Sequence, residues 1–147
     1  MYQRILVATD GSPLSKKAVT SAIKLAGLTG AELVALKVVP RYPYSYFEGS
    51  LPLSPQEMAR VEKQWSENGQ AIVDAVKTAA LVKGVTVKAV TSKSDLVAEA
   101  VISAAKKYKC DLIVMASHGR RGIKRLLLGS ETQHVLTHSY IPVLVIR

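Results

Sequence analysis

The chain has few of the residues that staple or anchor a protein. Of 147 residues one is cysteine, Cys110, so no internal disulfide forms. A lone thiol just ahead of an apolar run reads as a packing residue and fits a reducing, cytoplasmic setting. No apolar run approaches the roughly 20 residues that cross a bilayer, which excludes a membrane-spanning helix. The amino terminus, Met1 to Ile5, enters an apolar strand at once, so no leader peptide is expected. Aromatic residues make up only 5%, with one Phe and one Trp. Three of the six tyrosines (Tyr42, Tyr44, Tyr46) fall in one segment rather than among the basic residues. That spacing argues against stacked nucleic acid as a ligand. Neither a Gly-x4-Gly-Lys-Ser/Thr loop nor a Gly-x-Gly-x-x-Gly turn after the first strand is present.

Acid is also scarce where base is abundant. The net charge is +9, and residues 101–147 hold eight Lys/Arg against two acids. An anionic partner is therefore expected, its binding surface in the last third of the chain. With 48% hydrophobic and 21% charged residues, the composition is that of an ordinary globular protein. The length suits a single domain over 1–147.

Short apolar runs alternate with longer amphipathic segments. Strands are expected at Ile5–Ala8, Leu33–Val39, Val85–Val90, Leu112–Ala116 and Pro142–Ile146, the third nearer an edge because it alternates. Helices are expected over 13–28, 56–82, 95–108 and 130–138. Ser12 and Pro13 begin the first, Ser130-Glu131-Thr132-Gln133 spaces as a capping box for the last, and Gly27, Gly30 and Gly84 supply stops. Near-continuous apolar strands alternating with helices make a five-stranded parallel sheet, doubly wound in the Rossmann-like or flavodoxin-like manner with order 3-2-1-4-5 and four helices.

In that order the first and fourth strands are neighbours at the topological switch point, where such sheets bind ligands. Thr9-Asp10-Gly11-Ser12 leaves one of them and Ser117-His118-Gly119 the other. The second loop continues through Arg120, Arg121, Lys124 and Arg125, without an acid, to Gly129-Ser130 at a helix start. Bare amides, cations and a helix N-terminus together suit phosphate. His118 has no acid or nucleophile paired with it in sequence and reads as a solvated or locally bonded loop residue. His134 and His138, in or just after the last helix, carry no expected chemistry. Pro40 to Pro55, with four prolines and Tyr42, Tyr44, Tyr46 and Phe47, is too long for an ordinary connection. It reads either as an aromatic flap over the pocket or as an insertion packed on the surface.

Taken together, Arg4-Ile5-Leu6-Val7-Ala8-Thr9-Asp10-Gly11-Ser12, Ser117-His118-Gly119-Arg120-Arg121-Gly122, Leu128-Gly129-Ser130 and Ile141 to Ile146 resemble the universal stress protein family along nearly the whole chain. Its ATP-binding branch carries Gly-x2-Gly-x9-Gly-Ser/Thr; here the frame falls on Ala116, Gly119, Gly129 and Ser130, with alanine for the first glycine. The resemblance implies ATP or another adenine nucleotide as ligand. Asp10 would face ribose or adenine with Ala8 and Thr9 on the same wall, and Val38 would meet adenine through its main chain. Gly119 and Gly129 would offer amides to phosphate, with the Ser130 hydroxyl, Thr132 and the cations Arg120 and Arg121 alongside. A Mg²⁺ ion held with the phosphates would take Asp10 directly or through water. Also implied is a homodimer through residues 141–146.

The expected function is a nucleotide-responsive regulatory protein of the stress response, with a regulatory protein partner allowed for. Mg-dependent ATP hydrolysis is one alternative, slow because with no general base evident it would rest on positioning and charge neutralisation alone. A regulatory module that binds no nucleotide is the other, favoured by Ala116.

Overall fold

The structure is a computed structural model that describes residues 1–41, 54–119 and 128–147. Nine elements follow in order: β1 (Arg4–Ala8), α1 (Pro13–Thr29), β2 (Glu32–Val39), α2 (Pro55–Val82), β3 (Val87–Lys93), α3 (Val97–Lys107), β4 (Leu112–Ala116), α4 (Ser130–His138) and β5 (Val143–Ile146). The five strands form one parallel sheet in the order β3-β2-β1-β4-β5, the order expected.

Both faces of the sheet are covered. Ile5, Val7, Leu33, Ala35 and Val114 pack against α1 and α2, while Leu6, Val34, Leu36, Ile113 and Met115 pack against α3 and α4. Period-two alternation thus sends successive β1 residues to opposite cores, so the strand is apolar throughout. Each large side chain buried this way contributes about 1.5–3 kcal/mol. Cys110 is buried in the second core, in the packing role expected of it.

Local chemistry explains the boundaries. Ser12 Oγ accepts from the Ser15 amide at 3.3 Å, and Gly30 closes α1 at φ 74°. Gly27, expected as a stop, lies within α1, because Ala26 and the residues before it are held in the core and the left-handed residue is Gly30. The capping box of this chain belongs to α2: Ser54 Oγ accepts from the Glu57 amide at 3.2 Å and Glu57 Oε2 from the Ser54 amide at 3.0 Å. These bonds hold the Glu57 carboxyl below the usual carboxylate range.

β3 begins later and runs further than the alternation suggested, to Lys93 rather than Val90. It pairs with β2 as far as Lys93 opposite Val39, and as an edge strand it leaves Thr91 and Lys93 exposed. α3 starts two residues late because Ser94 Oγ accepts from the Leu96 amide at 3.0 Å, a turn that competes with the helix. It stops at Lys107, just before Lys109, the one non-glycine residue with positive φ among those described. Of the long proline-rich segment, residues 42–53 lie outside the described residues, and with them the choice between flap and insertion.

Candidate functional site

β1 and β4 lie side by side, with Ile5 opposite Leu112 and Val7 opposite Val114. Their carboxyl ends therefore release two loops next to each other. On the β1 side, Asp10 Oδ1 accepts from the Ser12 amide at 2.9 Å, and Gly11 takes φ 79°. This Asx turn brings the chain sharply into α1. Thr9 is buried, its Oγ1 sharing a hydrogen bond with Ser15 Oγ at 3.0 Å and accepting from the Gly11 amide at 3.2 Å. Thr9 is thus a strut, while Asp10 both turns the chain and faces the neighbouring loop.

That loop is pinned from several sides. The Ser117 amide donates to the Ile146 carbonyl at 2.8 Å, and the Gly129 amide to the Ser117 carbonyl at 2.7 Å. Thr132 Oγ1 donates to the Ala116 carbonyl at 2.9 Å from a site that is almost wholly buried. Both glycines are there for closeness. A Cβ on Gly119 would sit 2.7 Å from Asp10 Oδ2, and one on Gly129 would sit 3.3 Å from both His118 Cα and the Ser117 carbonyl. Gly129 has φ −60°, so its constraint is contact rather than backbone conformation: a side chain there needs Ser117 and His118 to give by a few tenths of an ångström.

Gly129, not Ser130, is the N-cap of α4, and no side-chain cap bond is present. The capping-box expectation at Ser130 fails because the serine is already the first helical residue. Ala116 ends β4 without positive φ, so alanine fits the backbone of the frame's first position without strain. His118 is half-buried, with Nδ1 3.3 Å from Ser117 Oγ, the local bonding expected of it.

An open cleft of about 980 Å³ lies over this junction. Ala8, Thr9, Asp10, Val38, Ala116, Gly119, Gly129, Ser130 and Thr132 all line it. Arg120 and Arg121 lie outside the described residues. Sequence reasoning missed the apolar floor of Leu36, Val101 and Met115, the α2 wall of Trp65 and Gly69, and Glu131. A signal for α2 existed: a glycine in mid-helix is costly unless something approaches closely, and a Cβ on Gly69 would lie 2.7 Å from Val39 Cγ2. Glu131 left no such mark, because its partner is 33 residues away: Oε2 accepts from the Ala98 amide at 3.0 Å.

Chemically, the cleft has an apolar floor, two carboxylates, Asp10 and Glu131, and a helix N-terminus. Among the described residues no three His, Cys, Asp or Glu side chains gather as a metal site. Asp10 offers Mg²⁺ one carboxylate, the other oxygens to come from water and a ligand. Among the same residues no helix is long and apolar enough to cross a membrane.

A model of the universal stress protein family matches residues 1–147. The chain belongs to that family. Universal stress protein MJ0531 of Methanocaldococcus jannaschii is 34% identical over 149 residues, covering 100% of this chain and 83% of that one. Among solved structures, the universal stress protein UspA from Lactobacillus plantarum superposes with a TM-score of 0.85 at 25% identity, covering 99% of this chain and 98% of its own. Another, a universal stress protein in complex with cAMP, has a TM-score of 0.72 at 26% identity and covers 99% and 97%. In this universal stress protein Ala116, Gly119, Gly129 and Ser130 run from the end of β4 to the start of α4, the two elements that the Thr132–Ala116 bond ties together.

Proposed function

We propose that this universal stress protein binds an adenine nucleotide, ATP foremost, in the cleft over β1 and β4, and acts as a nucleotide-responsive regulator. The observation that carries the reading is the approach of Gly119 to Asp10. The absence of a side chain there lets the backbone at Gly119 close on a carboxylate, in a cleft that the start of α4 also lines. Base and ribose suit the apolar floor and Asp10; phosphate suits the Gly119 amide, Ser130 and the start of α4, the Gly129 amide expected to join them being held instead by the Ser117 carbonyl. The relative solved with cAMP supports the adenine part. Val38, Ala8, Thr9 and Thr132 complete the walls, and Arg120 and Arg121 supply charge to the phosphates.

In the same reading the chain works in the cytoplasm as one domain. It pairs with a second copy through residues 141–146 and passes its nucleotide state to a regulatory protein partner. Mg²⁺ joins with the phosphates at Asp10. Titration with adenosine, AMP, cyclic AMP and ATP, each with and without Mg²⁺, tests it. Saturable ATP binding on the order of micromolar is expected from several phosphate contacts of about 1.5–3 kcal/mol each set against ordering costs. No heat and no saturation at millimolar ATP would show the reading to be wrong and leave the empty-cleft regulator.

A further inference from the structure

Helix α3 has no side-chain cap of its own: its N-cap residue is Leu96. Its second amide, at Ala98, is met instead by Glu131 Oε2 at 3.0 Å, from the second position of α4. One carboxylate therefore lies at two helix N-termini together, and both Glu131 and its α3 neighbours Val97 and Val101 line the cleft. Each N-terminus carries about half a positive charge. Glu131 offsets part of that potential at the place where Gly129 and Ser130 open α4.

We infer that Glu131 is a specificity-determining residue of the cleft, one that lowers its preference for highly charged ligands. The inference rests on the nucleotide reading. A phosphate arriving at the start of α4 meets a like charge one residue past Ser130, and the cost rises with the number of phosphate charges. A neutral ligand such as adenosine meets none of it. Glu131 thus narrows the difference in affinity between adenosine and ATP, and its α3 bond keeps it from swinging away when the ligand enters.

Glu131→Gln separates the charge from the bond, since the amide oxygen still accepts from Ala98. Calorimetry in chelator at low salt, with adenosine, AMP and ATP, measures the effect. The variant should bind ATP about two- to fivefold more tightly than the parent, the scale of a surface charge at a helix end. AMP should gain less, adenosine should not change, and the ATP gain should shrink as salt screens it. Hydrogen exchange at Ala98 should stay slow in Glu131→Gln and quicken in Glu131→Ala, reporting the bond independently of any ligand. An unchanged ratio of ATP to adenosine affinity would overturn the role of Glu131 and leave nucleotide binding standing. Failure of the parent to bind either ligand would overturn both.

Discussion

Asp10 Oδ2 occupies the space in which a Gly119 side chain would begin, 2.7 Å from the would-be Cβ. The other oxygen of the same carboxylate holds the Ser12 amide at 2.9 Å. One side chain thus turns β1 into α1 and sets how closely the β4 loop can approach.

Gly119→Ala should therefore push Asp10 off the Ser12 amide, a bond of about 1 kcal/mol. ATP affinity is expected to fall about five- to tenfold. Because the clash is with the end of a side chain rather than with backbone, the melting temperature should move little. Calorimetry beside a thermal melt checks this; a large loss of stability with unchanged affinity would mean that the contact serves folding alone.

Gly129→Val acts differently, because the clash is with backbone. The first added carbon already lies 3.3 Å from His118 Cα and the Ser117 carbonyl, and the two further methyls make it worse. Nucleotide binding should be lost, with stability reduced by about 1–3 kcal/mol and the circular dichroism spectrum still native. Retained affinity in this variant would refute the placement of phosphate at the start of α4.

Ala116→Gly restores the family's glycine frame but places glycine in a fully buried strand. Stability should drop by about 0.5–1 kcal/mol, seen in urea unfolding. Affinity should be unchanged or improved, since Ala116 has an ordinary backbone conformation. A tenfold loss, about 1.4 kcal/mol, would show that the methyl itself contacts the ligand.

Burial pushes the Cys110 thiol up to about 11, with Arg4 opposing and Asp111 adding to the shift. In the unfolded chain the thiol ionises near its usual range, about 8.5. Between these values the unfolded state binds fewer protons than the folded one, so this residue lowers stability as pH rises from about 9 to 11. Cys110→Ala should flatten that part of the stability curve. A thiol reagent should leave Cys110 intact at neutral pH until denaturant is added; rapid labelling of the native protein would contradict the packing role.

β5 is an edge strand, paired with β4 on one side only. Leu144 is 40% exposed, whereas Val143 and Ile146 pack against the two cores. Such an edge invites pairing with a second copy. Leu144→Lys places charge on the seam without touching either core, and light scattering at tens of micromolar should shift from dimer to monomer. A monomer in the unaltered protein would remove the dimer from the proposal.

The sheet was legible in the chain because its strands are local patterns: Leu112–Ala116 is apolar throughout, as a strand buried on both faces must be. Right-handed crossovers left few strand orders, and the alternation of the third strand favoured one that puts it at an edge. The neighbourhood of Asp10 and Gly119 followed from that order in turn. What the chain could not disclose depends on partners distant in sequence. The Gly69 contact with Val39, the Thr132 bond to Ala116 and the Glu131 bond to Ala98 exist only once helices are docked on the sheet. The same limit explains Ser130, whose spacing imitates a cap. Helix starts are set by which residue first adopts helical dihedrals, and here the close packing of Gly129 on Ser117 and His118 decided that. Local pattern determined the fold and the location of the cleft; packing across 16 to 33 residues of chain decided which side chains brace it.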